Sequence, residues 1–321
     1  GVECFFVLSG FILCHVYLPP FEAGRFKFGD FLWARIARIY PLHIATLAAM
    51  GLMAGVALAA GLPVDPNVLS LPALPANLTL TQAWGLSPVA GWNHPSWSIS
   101  AEWFAYLSFP AFAIAAVAMR RWPGVAVAGA LALMALLYVG FARIAGFPLT
   151  RATISWGALR IIPCFFLGCA LFLAWRAGVA DSRKALVGAA FFGVGAVVSA
   201  QFGAPDMITV AAFGGLIISL AQVSKGGGRV GSHPIFVYLG EISYAVYMVC
   251  IPWEVLFVNL AAKSLHLQGK QLPLPLWLFF IVALAPIAAT AHHLIEKPAR
   301  DRIKLWRTAP HLHKFETVHA R

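Results

Sequence analysis

Glu3, Arg35, Arg38, Ser98, Glu102, Tyr244 and Glu296 stand in stretches that are otherwise largely apolar, and an ionisable group in such a stretch needs a reason. Arg35 and Arg38 are three residues apart, so on a helix they share a face and could grip one polyanion together. Two arginines snorkelling to a membrane surface fit the same spacing. Ser98, Glu102 and Tyr106 recur every four residues and draw a polar stripe along one helix. Glu102 therefore faces a bundle interior or a cavity, as a reacting group or as part of a structural hydrogen-bond network. Glu3 and Gly10, seven apart, fall on one helix face. Glu3 is either a site residue or a helix-end carboxylate that reaches headgroup water. Tyr244 opens one late apolar run and Glu296 closes another, where they supply countercharge as readily as chemistry. His15 reads as a helix-end histidine. No metal-ligand set appears, and the odd number of cysteines, five, matches no zinc or redox spacing.

The elements that hold these residues follow from composition. Hydrophobic residues make up 60% of the 321, charged residues only 11%, and the formal net charge is +11. A soluble domain carries about 25% charged residues, so a soluble globule is excluded, as are a disordered chain and a disulfide-stapled module. A polytopic membrane protein remains, with lipid around most of its surface. The basic excess then marks cytoplasmic loops rather than nucleic-acid binding. Nine apolar runs are long enough to span a bilayer: 1–18, 39–62, 97–119, 122–141, 159–175, 185–202, 207–224, 235–260 and 274–295. The expected fold is an all-α polytopic transmembrane helical bundle over 1–298, with a basic tail over 299–321.

Alternating the loops puts 18 of the 23 Lys and Arg residues on one side and 5 on the other. The richer side is the cytoplasmic one, which places the C-terminus inside and Gly1 outside. A chain that starts outside, without methionine and already in an apolar run, reads as a cut through a longer protein.

Five segments also carry a resemblance. Gly1-Val2-Glu3-Cys4-Phe5-Phe6-Val7-Leu8-Ser9-Gly10-Phe11-Ile12-Leu13 resembles the GVDLFFVLSGFLI signature of the acyltransferase 3 family of membrane acyltransferases. The run from Phe31 to Pro41 is similar to that family's RxxR-I-Y-P motif. Trp97-Ser98-Ile99-Ser100-Ala101-Glu102 is similar to its WSLSxE motif, Leu239 to Tyr247 to LGxISYxxY, and Ile295-Glu296-Lys297-Pro298 to IEKP. All five occur in the family's order.

The resemblance implies about ten spans, one of them before Gly1, carrying an arginine and, eleven residues on, the histidine needed for transfer. It implies an integral protein of the bacterial inner (plasma) membrane. Its reaction would be O-acylation, with acetyl-CoA or another acyl-CoA as co-substrate and no metal or bound prosthetic group. The acceptor would be a sugar, polysaccharide, lipid-linked sugar or small hydroxylated molecule. Glu3 stands where the family has Asp, one methylene longer, and would orient that histidine. Arg35 and Arg38 would bind the acyl-CoA phosphates. Trp97, Ser98, Glu102, Tyr244 and Glu296 would shape the site. A secondary transporter or flippase using the same carboxylates would show paired repeats, which the sequence lacks. A catalytically inactive remnant is the third alternative.

Overall fold

The computed structural model describes residues 1–178, 182–227, 231–264 and 272–305. Helices follow one another along the chain: α1 (Val2–Glu22), α2 (Phe28–Ala59), α3 (Leu74–Leu78), α4 (Ser96–Leu107), α5 (Phe109–Met119), α6 (Pro123–Ala145), α7 (Gly157–Arg176), α8 (Ser182–Gln201), α9 (Asp206–Lys225), α10 (Pro234–Ser264) and α11 (Leu274–Ala291). A π-helical turn, His292–Glu296, continues α11, and helix resumes to Leu305. No strand occurs among the described residues. Among the described residues eight helices are long and apolar enough to cross a bilayer, or nine if the bent pair α4–α5 is one span. The protein is an all-α, polytopic membrane protein, as composition requires.

Two of the expected spans differ from their observed helices. The second begins at Phe28 rather than at residue 39, because Arg35 and Arg38 lie inside the helix and not in a preceding loop. The third, 97–119, is two helices bent by 59°. Pro110 explains the break: it has no N–H to offer the carbonyl four residues back, and it sits at the start of α5, where a missing donor costs least.

The chain divides into two units. The first comprises Gly1–Phe28, Leu80–Ser87 and Ser100–His233. Its central helix is α7, with 78% of its apolar window buried against 39% for α1. The two helices run parallel. Glu3 meets Arg160 at their N-terminal ends, and Glu22 accepts a two-point bond from Arg176 at 2.8 and 2.9 Å at their C-terminal ends. At 1.5 Å per residue each is about 30 Å long, the thickness of a hydrocarbon core. Between the ends the backbones close to glycine distance. A Cβ on Gly10 would overlap the Phe165 carbonyl, and one on Gly168 the Val7 carbonyl. Small residues let membrane helices approach this closely and so collect dispersion contacts in the absence of a hydrophobic driving force. Helices α8 and α9 form a hairpin, tied by Ser199 to Thr209 at 2.9 Å.

The second unit comprises Gly29–Thr79, Pro88–Ile99 and the described residues from Pro234 on. Trp33 donates to the Ile303 carbonyl at 3.0 Å, joining the start of α2 to the last turns of the chain's final helix. Trp253 of α10 donates to the Phe280 carbonyl of α11 at 3.1 Å. Pro252 leaves the Met248 carbonyl without its helical donor. The fully buried Asn93 fills that place with its amide at 3.0 Å, and also donates to Thr46 at 3.1 Å.

Candidate functional site

The expected site residues fall into separately bonded groups. Within the second unit, Arg38 and Glu296 form an ion pair, although 258 residues separate them in sequence. The Glu296 side chain is fully buried. It also takes His292 Nδ1 at 2.9 Å and lies 4.0 Å from Arg300. The π-helical turn sets this arrangement, since Glu296 is its last residue and His292 its first. Arg38 in turn lies over the Tyr244 ring at 5.3 Å, while the Tyr244 hydroxyl donates to the Ile39 carbonyl at 2.6 Å. Arg35, one turn before, lies over the Phe31 ring at 6.0 Å. The helix that supplies Glu296 adds Lys297, Arg302 and Lys304, so basic side chains outnumber acidic ones at this end. A buried carboxylate at the centre fixes one guanidinium, and the surplus positive charge suits an anion with several phosphates.

Also in the second unit, Ser98 donates to the Tyr247 hydroxyl at 2.8 Å, and Tyr247 donates to the Pro95 carbonyl at 2.8 Å. Trp97 is buried at the start of α4. His94, on the loop just before, is held below the ordinary histidine range because partial burial penalises its charged form.

Within the first unit, half-buried Glu102 accepts the Ser9 hydroxyl at 2.7 Å. Glu102 thus faces protein, as its cost in lipid demands. Glu3 accepts from Arg160 Nε at 2.9 Å and also pairs with Arg160 Nη2. Arg160 spends its remaining nitrogen on the Ala152 carbonyl at 2.7 Å. Glu3 and Gly10 share one face, as their spacing requires, and that face is the one against α7. Sequence reasoning missed Arg160, which stands at the start of the expected 159–175 span. The signal available was a lone arginine beside an apolar run, matched with a lone glutamate in another. His15 is exposed and packs against Trp175 at 5.3 Å and Phe172 at 5.9 Å. Among the described residues no group of three or more His, Cys, Asp or Glu is placed to hold a metal.

Residues 1–293 match the family described as "Acyltransferase domain" (acyltransferase 3). The chain belongs to that family. Among curated proteins, this acyltransferase 3 member is 33% identical over 275 residues to "Acyltransferase MdmB" of Streptomyces mycarofaciens, an alignment covering 78% of the chain and 66% of that relative. It is 37% identical over 117 residues to "Protein 2 in picA locus" of Rhizobium radiobacter, covering 32% of the chain and 59% of that protein. The chain thus spans less than two thirds of the length of either. No solved structure matches it.

Proposed function

We propose that this acyltransferase 3 member moves an acyl group, acetyl in the simplest case, from cytoplasmic acyl-CoA to a hydroxyl of a sugar, polysaccharide or related acceptor in the inner membrane. The observation that carries the reading is the Arg38–Glu296–Tyr244 assembly, with Arg35 one turn away on the same helix. A CoA phosphate needs guanidinium groups whose orientation is fixed before it arrives, and a buried carboxylate plus an aromatic face supply that. Glu296 and Tyr244 are positioning residues for Arg38. The end of the bundle that carries them is the cytoplasmic one on the charge count, where acyl-CoA is found.

In the transfer itself the acceptor oxygen attacks the thioester carbonyl. Its proton passes to a base, the C–S bond breaks, and CoA leaves as a thiolate that takes up a proton. The resemblance assigns the base to a histidine of the family's signature helix, a role a group titrating near neutral pH can fill. The same resemblance assigns Trp97, Ser98 and Glu102 to the acceptor end.

The test is transfer of radiolabel from acetyl-CoA to candidate glycans by the full-length protein in membranes. Arg35→Ala and Arg38→Ala should each raise the KM for acetyl-CoA by about tenfold or more, the worth of one charge-assisted bond. Glu296→Gln should raise KM and leave kcat nearly unchanged. Unchanged KM in all three variants would remove the CoA assignment. Solute flux across proteoliposomes without acyl-CoA would replace the enzyme reading with a transporter.

A further inference from the structure

Beside the Glu3–Arg160 pair the first unit contains a cavity of about 880 Å³, a size that suits a small molecule or the head of a larger one. Its walls come from the N-terminal end of α1, the last turns of α6, the α6–α7 connection and the α8–α9 connection. Four charged side chains line it, Glu3, Arg143, Arg151 and Asp206.

These four are not used up by one another. Glu3 takes both Arg160 bonds on Oε1. Its Oε2 lies 3.9 Å from the Gly1 nitrogen. Asp206 receives the Thr150 hydroxyl on Oδ2, and Oδ1 carries no hydrogen bond among the described residues. Arg143 and Arg151 are exposed and have no ion-pair partner among the described residues. The remaining wall is chiefly apolar, with Val139, Leu149 and Met207. Helix α6 continues that apolar surface outward through the exposed Leu136 and Ile144.

We infer that this cavity binds an amphiphile whose head carries both hydroxyl groups and an anionic group. Arg143 and Arg151 hold the anion through guanidinium hydrogen bonds. The free Oδ1 of Asp206 accepts from a hydroxyl beside Glu3, and the apolar wall takes the adjoining chain. A bare anion would meet two carboxylates without a hydroxyl to offer them. A neutral polyol would leave both guanidiniums unanswered. A head with both functions answers both kinds of side chain. That this molecule is the acceptor of acyl transfer rests on the reading above. The binding site itself does not.

The experiment uses the full chain in nanodiscs of zwitterionic lipid, with no acyl-CoA present, so that binding and transfer fail independently. The probes are octyl glucoside 6-phosphate, octyl glucoside and glucose 6-phosphate, each titrated by microscale thermophoresis below its micellar concentration. The first should bind at least about tenfold more tightly than either of the others. The double variant Arg143→Gln/Arg151→Gln should bring it down to the affinity of octyl glucoside and leave octyl glucoside unchanged. Both side chains are exposed, so the variant should keep the wild-type unfolding midpoint, measured in parallel on it and on each single variant. Equal binding of octyl glucoside, equal binding of glucose 6-phosphate, full affinity in the double variant, or no binding of any probe would each overturn the inference.

Discussion

Replacing Arg160 by methionine tests the central pair of the first unit. The side chains of Arg160 and Glu3 are only 7% and 10% exposed, so solvent screens their attraction little and the figure for a buried pair applies. Removing one partner strands a buried charge and costs about 3–5 kcal/mol. The Ala152 carbonyl also loses its donor, a cost of about 1–3 kcal/mol contained in that sum. The double variant Glu3→Leu/Arg160→Met removes both charges and leaves only the carbonyl unsatisfied. It should therefore be more stable than Arg160→Met alone, with a coupling of about 2 kcal/mol or more between the two positions. Equilibrium unfolding in mixed micelles with rising dodecyl sulfate, followed by tryptophan fluorescence, measures all four corners of the cycle. A loss below about 1 kcal/mol for Arg160→Met, or a double variant equal to the sum of the singles, would refute the claim that this pair is buried and unscreened.

Three further outcomes are expected. Gly168→Ala places a methyl group against the Val7 carbonyl, so α1 and α7 must separate, at about 1–3 kcal/mol in the same unfolding assay. Asn93→Ala leaves the Met248 carbonyl without the donor that Pro252 lacks and should cost about 1–3 kcal/mol. Asn93→Asp should not rescue it, because a carboxylate cannot donate. Partial burial holds His94 below the free-histidine value of 6.5, so the folded chain binds this proton less readily than the unfolded one. Its contribution is constant above about pH 6.5, declines as pH falls below that value, and levels off once the folded pKa is passed. His94→Gln should flatten that slope in unfolding midpoints taken between about pH 8 and pH 5.

Hydropathy alone located the helices, since lipid forces each crossing segment to satisfy its own backbone in a run of apolar residues. It erred where polar residues belong to a helix or where a proline breaks one. Arg35 and Arg38 lie ahead of the 39–62 apolar run, yet α2 already contains them, and Arg38 meets in Glu296 a counterion that no local window can see. The 97–119 run is apolar throughout its second half, and only the missing amide of Pro110 marks the bend. The polar stripe of α4 was legible from its period of four. The partners of that stripe were not, since Ser9 and Tyr247 lie 93 and 149 residues away. Arg160 went unread for the same reason.

The π-helical turn fits one residue more into its length than an α-helix would hold. Were 292–296 to relax to the commoner winding with all five residues kept, everything after it would turn by about 100° about the axis. Glu296 would then swing away from Arg38, and the stretch up to Leu305 would present a different face to Trp33. The spare residue works as a phase setting between two lengths of one helix. Deleting one residue there, which restores the commoner winding with the later phase kept, should be tolerated better than inserting one.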